Sequence, residues 1–268
     1  MSQRKSIFIT GAASGIGRAV AQRFNQEDWF VGMGDVDAEG LAGTEALLKG
    51  GFHYSHKFDV RDRAAWDEAL KGFHLATGGR IDVLVNNAGI PLGGSLSENT
   101  PEEIERCLDI NLKGVLFGAQ AVLPYLKETA PGSALINTAS AAGIYGTGGA
   151  SVYSATKFGV RGLTESLDAE WSEFGIKVAS ICPGFIETPL IDHTPNQASN
   201  QSIRQRLSEA GIALIPVEDI AQAVWDAVHG DKLHWNIGKT ANQLAFGARW
   251  MPGRLRKRAK AMQRPLGR

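Results

Sequence analysis

Short apolar or β-branched runs alternating with longer stretches of helical spacing constrain this chain more than any other feature. The runs are Ser6 to Thr10, Trp29 to Gly34, Phe52 to Phe58, Ile81 to Val85, Ala134 to Asn137 and Lys177 to Ile181, with a weaker seventh at His234 to Ile237. Strands separated in this way read as an α/β chain, a parallel sheet joined by crossover helices. Between them, Ile16, Val20 and Phe24 share one helical face, as do Ile220, Val224 and Val228. Thr100 followed by Pro101 and Glu103 has the form of a capping box. The helix it opens is predicted to run to about Pro124, where the missing N–H kinks or ends it. There is neither an internal repeat nor a Pro/Ser-rich linker, so residues 1–239 are predicted to form one domain and residues 240–268 a basic amphipathic tail.

The polar residues fall where each run stops. The first run ends in Thr10-Gly11-Ala12-Ala13-Ser14-Gly15-Ile16-Gly17, the second in Asp35, the third in Asp59 and the fourth in Asn86-Asn87-Ala88-Gly89. The fifth is followed by Ser140 and the sixth by Pro183-Gly184. In an open parallel sheet these points lie together on the carboxyl edge, where ligands bind. Glycines between a strand and a helix permit a tight turn and bring N–H groups and the helix N-terminus close to a pyrophosphate. Asp35, at the end of the next strand, is placed to accept hydrogen bonds from an adenosine ribose. Its charge would repel a 2′-phosphate, and neither Ser14 nor Val36 supplies a compensating cation, so NAD(H) is expected over NADP(H).

Tyr153 and Lys157 stand four apart on a predicted helix and so share a face. A phenol is a poor proton acceptor near neutrality, but a neighbouring ammonium favours the phenolate. Ser140 is placed to donate a hydrogen bond to a substrate oxygen. Taken singly, the Tyr is an ordinary amphipathic-helix residue, the Ser a loop hydroxyl or cap, and the glycines a plain turn.

Jointly, the glycine loop, Asp35, Asp59, the Asn86-Asn87-Ala88-Gly89 segment, Asn111, Ser140 with Gly143, Tyr153 with Lys157, and Pro183-Gly184 with Thr188 resemble the short-chain dehydrogenase/reductase family, its NAD-preferring oxidoreductases in particular, over roughly residues 5–237. The resemblance implies a single-domain Rossmann-type, doubly wound parallel sheet of about seven strands. It implies Tyr153 as general acid/base, Lys157 lowering its pKa and binding the nicotinamide ribose, Ser140 positioning the substrate oxygen and Asn111 anchoring a proton-relay water. For the cofactor it implies contacts from Gly11, Ser14, Gly15, Ile16, Gly17, Asp35, Asp59, Val60, Asn87, Ala88, Gly89, Tyr153, Lys157, Pro183, Gly184, Ile186 and Thr188. Asp59 and Val60 would meet the adenine ring and Thr188 the nicotinamide carboxamide. The partners implied are a small alcohol or ketone and further copies of the chain, as homodimer or homotetramer. An NADP(H)-dependent carbonyl reductase and a binding-only NAD(H) module are the alternatives. Substrate contacts are expected from residues 90–96, 141–150 and 185–211, with the polar stretch Asn196 to Ser202 as a lid.

Composition narrows the remaining classes. Cys107 and Cys182 form no CxxC pair and have no His at ligand spacing, against a disulfide framework or structural zinc. His53 and His56, three apart in a predicted strand, point to opposite faces, and no metal is expected. No G-x-S-x-G elbow occurs, so the hydrolase nucleophile turn is absent. The first ten residues hold too short an apolar run for a signal-peptide core, which points to the cytoplasm. Charge balances overall at 28 basic against 28 acidic residues, yet ten of the basic residues and none of the acidic ones follow Asp231. The body is therefore acidic and no nucleic-acid partner is expected. The tail, with Phe246, Trp250 and Leu255 among Arg and Lys, could pack on the body or on a neighbouring subunit, or touch an anionic membrane weakly.

Overall fold

The structure is a computed structural model describing residues 4–262. Its seven strands are β1 (Ser6–Thr10), β2 (Phe30–Asp35), β3 (His53–Lys57), β4 (Val83–Asn86), β5 (Ala134–Thr138), β6 (Lys177–Pro183) and β7 (His234–Ile237). All pair in parallel in the order β3-β2-β1-β4-β5-β6-β7. The predicted runs are shifted by at most two residues at any end. The order reverses direction between β1 and β4, so the carboxyl-edge crevice opens there.

Helices cover both faces of the sheet. On one, α1 (Gly15–Gln26), α2 (Ala38–Glu45) and α8 (Val217–His229) bury Val20, Phe24, Leu41, Ile220 and Val224 against Ile7, Ile9, Val31 and Ile136. On the other, α3 (Arg63–Ala76), α5 (Gly114–Thr129) and α6 (Ser151–Trp171) bury Trp66, Leu70, Phe73, Val122, Leu126 and Trp171 against Phe8, Leu84 and Leu135. Each inner strand is therefore apolar on both sides, as a sheet buried on both faces requires.

The helix beginning at Thr100 departs from expectation twice. The capping box is present, with Thr100 Oγ1 accepting from the Glu103 N–H at 3.2 Å and Glu103 Oε2 accepting from the Thr100 N–H at 3.0 Å. However, α4 (Pro101–Leu108) gives way to a π-helical turn at Asp109–Lys113 before α5 begins. Nor does Pro124 end α5, which continues to Thr129. Both Pro124 and Gln120, whose carbonyl loses its intrahelical donor, lie on the exposed side, so water can take the place of the missing N–H.

The lid and tail complete the chain. Pro195 O accepts the Gly93 N–H at 2.7 Å, Asn196 is buried, and Ser202 caps α7 (Ile203–Glu209), so the first residues of the lid lie on the loop after β4. The tail forms α9 (Gly238–Trp250) and α10 (Pro252–Met262), broken between Trp250 and Pro252 as the Pro-Gly pair predicts. In α9, Ala241 is fully buried, and Leu244 and Ala245 pack on Val115, Ala139, Val160 and Cys182. Arg264 and Arg268 lie outside the described residues. Among the described residues, no helix is long and apolar enough to cross a membrane.

Candidate active site

The glycine loop is held by close backbone approaches. Gly11 and Gly15 have positive φ, +68° and +50°. A Cβ on Gly11 would sit 2.9 Å from Ala88 Cα, and one on Gly17 would collide with the Gly11 carbonyl. The β1 and β4 ends are tied together. Thr10 Oγ1 accepts the N–H groups of Asn87 and Ala88 at 3.0 and 3.1 Å, and Asn87 Nδ2 donates to Thr10 O at 2.9 Å.

Ser14 is the N-cap of α1, but its side chain makes no capping hydrogen bond, and no acidic residue occupies the first turn. That uncapped N-terminus, beside glycines with no room for side chains, fits a dinucleotide pyrophosphate. Asp35 lies half-buried at the end of β2. Its Oδ2 accepts from the Ala13 N–H at 3.0 Å and its Oδ1 from the Asp37 N–H at 3.1 Å, which fixes the carboxylate beside the loop. Both oxygens of Asp59 accept from Arg61, whose guanidinium holds that carboxyl below its usual range. Val60 is buried against Gly114. Ile16 and Ile186 pack into the core, and Thr188 covers Gly15, its Cβ 3.2 Å from where a Gly15 Cβ would be. Gly184, next to Pro183, donates its N–H to Ile237 O at 3.2 Å.

The second cluster forms where α6 meets the turn after β5. Gly143 allows this approach, because a Cβ there would lie 2.6 Å from the Lys157 carbonyl oxygen. Ser140 caps the short Ala141–Gly143 helix, its Oγ accepting from the Ala142 N–H at 3.2 Å. That bond uses an oxygen lone pair and leaves the hydroxyl proton free to be donated. Lys157, buried on α6, donates from Nζ to Thr138 O at 2.9 Å and lies 5.6 Å from the centre of the Tyr153 ring. Burial lowers the Lys157 pKa to about 8.

The Tyr153 pKa is raised, not lowered. Desolvation is the largest effect, and the Ser140 hydroxyl offsets part of it. The expectation that Lys157 would set the direction is therefore corrected in the protein without ligand: burial outweighs it.

Asn111 stands within the π-helical turn, fully buried. Its Oδ1 accepts the Ile90 N–H and its Nδ2 donates to Ile90 O, both at 2.8 Å. A Cβ on Gly89 would lie 3.3 Å from Asn111 Oδ1 and 3.7 Å from Lys157 Nζ, so these three residues converge. The structure thus brings Asn111, Gly89, Lys157, Tyr153 and Ser140 together beside the ends of β4 and β5.

Sequence reasoning missed Thr10 and Thr138. Both are β-branched strand residues whose composition gives no hint that one ties β1 to β4 and the other holds the lysine.

Residues 5–199 match the family described as short chain dehydrogenase. The 3-oxoacyl-[acyl-carrier-protein] reductase of Thermotoga maritima is 36% identical over 231 residues, covering 82% of this chain and 88% of that protein. The 3-alpha-(or 20-beta)-hydroxysteroid dehydrogenase of Mycobacterium tuberculosis is 41% identical over 192 residues, covering 71% and 72%. Among solved structures, a short chain dehydrogenase/reductase from Burkholderia phymatum in complex with NAD aligns with a TM-score of 0.81 at 25% identity, over 100% of this chain and 99% of that one.

Proposed function

The chain belongs to the short-chain dehydrogenase family, oxidoreductases acting on alcohol and ketone groups with a nicotinamide cofactor, and on that premise we propose that it catalyses reversible NAD(H)-dependent hydride transfer to or from a secondary alcohol or ketone. The observation that carries this reading is the convergence of Ser140, Tyr153 and Lys157 at the carboxyl edge, on the side of the β1–β4 crevice away from Asp35. The bound nicotinamide supplies the hydride chemistry. Tyr153 moves the proton, taking it from the carbinol oxygen in oxidation and returning it to the carbonyl oxygen in reduction. Ser140 donates its free hydroxyl proton to the same oxygen. Lys157, anchored to Thr138, binds the nicotinamide ribose and connects the phenol to the Gly89–Asn111 corner, where Asn111 supports a proton relay. Gly11 to Gly17 hold the pyrophosphate, Asp35 the ribose, Asp59 with Val60 and the Asn87 to Gly89 segment the adenosine half, and Pro183, Gly184, Ile186 and Thr188 the nicotinamide half. A panel of secondary alcohols assayed for NADH formation tests the activity; a catalytically idle module turns over none of them.

Asp35 supports NAD(H) over NADP(H), because its carboxylate is fixed toward the loop by two backbone donors and would face a 2′-phosphate. NAD is expected to raise the melting temperature more than NADP at equal concentration, and Asp35→Asn to narrow that gap. An equal or larger shift with NADP in the wild type would overturn the preference.

Homo-oligomers are proposed as for the family, and the tail adds a second surface. Phe246 and Trp250, 57% and 65% exposed, stand one turn apart on α9. Arg254, Arg256, Lys257, Arg258 and Lys260 are all exposed on α10, and no ion pair among the described residues involves them. Aromatic residues beside unpaired cations support weak contact with an anionic membrane. Because α9 packs over the core, truncation belongs after Met251 and not within α9. The full chain should co-sediment with phosphatidylglycerol vesicles but not with phosphatidylcholine ones, and the truncated chain with neither. Loss of an oligomer on truncation, with no vesicle binding by the full chain, would assign α10 to a subunit interface instead.

A further inference from the structure

Helix α2 carries none of the residues assigned to chemistry or cofactor, yet its last turn reaches the glycine loop. Thr44 is fully buried there, and its Oγ1 donates to Ala12 O at 2.8 Å, with Gly40 O as a second acceptor at 3.1 Å. The same oxygen accepts from Arg18 Nε at 3.0 Å. Arg18, on α1, also donates from Nη2 to Ala13 O. Thr44 and Arg18 thus bond to each other and each holds one of two successive loop carbonyls.

The opposite sides of these residues are fixed as well. Ala12 N–H donates to Gly34 O at 3.3 Å, and Ala13 N–H to Asp35 Oδ2 at 3.0 Å. Asp35 Oδ1 accepts from Asp37 N–H, and Asp37 in turn caps α2 through the Gly40 N–H. Gly40 permits the close seating, since a Cβ there would lie 2.7 Å from the Ala13 Cβ. A threonine hydroxyl has one proton, and with Arg18 N–H occupying a lone pair, that proton is committed to a carbonyl.

We infer that Thr44 and Arg18 are positioning residues for the dinucleotide: their clasp fixes the peptide planes of Ala12 and Ala13, and with them the amides of the glycine loop and the Asp35 carboxylate. This rests on reading Gly11 to Gly17 as the cofactor loop. Neither residue touches the cofactor in this reading, so the clasp governs affinity and leaves the hydride step alone. Removing the Thr44 hydroxyl leaves a buried carbonyl and Arg18 Nε without their partner.

The test measures NAD(H) affinity by fluorescence titration, with single-turnover hydride transfer at saturating cofactor. Thr44→Val, close in shape, is expected to weaken NADH binding about tenfold with the single-turnover rate kept, and Thr44→Ser to restore affinity. Arg18→Met should give a similar loss, and the double variant should lose less than the product of the two. Melting temperatures without cofactor establish that each variant is folded. Thr44→Val with wild-type affinity, or single effects that multiply, would overturn the clasp. If the wild-type protein itself binds no NAD(H), the reading of the loop fails, and that result is distinct from either.

Discussion

Tyr153→Phe is expected to lower turnover by about 10² to 10⁴ while leaving NAD(H) binding intact. The substitution removes one oxygen from a half-buried ring and changes no backbone contact, so the fold and the glycine loop are retained. It removes the group that exchanges a proton with the substrate oxygen, and Ser140 cannot replace it because an aliphatic hydroxyl is a far weaker acid. The pH dependence gives a second reading of the same residue. Burial raises the Tyr153 pKa, so the protonated phenol needed for ketone reduction persists through neutral pH. Alcohol oxidation needs the phenolate, and its rate in the wild type should climb as pH rises above neutrality. In Tyr153→Phe that rise should vanish along with the rate. Steady-state rates in both directions against pH measure this, and turnover retained in the variant would refute the assignment.

Gly17→Ala should remove nicotinamide binding almost entirely. The added Cβ would collide with the Gly11 carbonyl and lie 2.9 Å from Ala12 Cα, both backbone, so no side chain can move aside. Either α1 shifts from β1 or the loop opens, and in both cases the amides leave their arrangement. Overpacking of this kind costs about 1–3 kcal/mol, and each kcal/mol lowers the melting temperature by about 2–4 °C in a chain of this size. Gly162→Ala is the control: nothing lies within 4 Å of its added Cβ, and alanine favours the helix. The expected outcome is a lowered melting temperature for Gly17→Ala with no shift on adding NADH, against wild-type behaviour for Gly162→Ala. A Gly17→Ala protein that binds NADH as tightly as wild type would contradict the placement of the cofactor on this loop.

The strands were legible because each inner one is a short apolar run bounded by polar or glycine residues, a pattern that buried parallel strands impose. The two residue clusters were legible for a related reason. Asp35, Ser140 and the glycines stand at strand ends, and topology alone places strand ends on one edge. What escaped was set by tertiary contact. The π-helical turn at Asp109–Lys113 leaves no mark in hydrophobic spacing beyond the oddity of Asn111 in a helix, which the sequence reading noted without its cause. Pro124 was expected to stop a helix because its N–H is missing, but exposure decides whether that loss matters. The direction of the Tyr153 pKa was misjudged because sequence gives neighbours and not the depth at which they lie. Thr44 and Arg18 were invisible because their partners are main-chain carbonyls, which any residue supplies.

The π-helical turn has a further consequence for how this chain tolerates change in length. A π turn contains one residue more than the α-helical turn it replaces, and each α-helical residue advances the chain by about 100°. Deleting one residue between Asp109 and Lys113 would restore uniform α-helical winding and turn α4 and α5 relative to each other by roughly that angle. Asn111 could then no longer meet Ile90 while Val122 and Leu126 remain in the core. At this point the site and the sheet packing depend on different helical phases, and a single extra residue reconciles them.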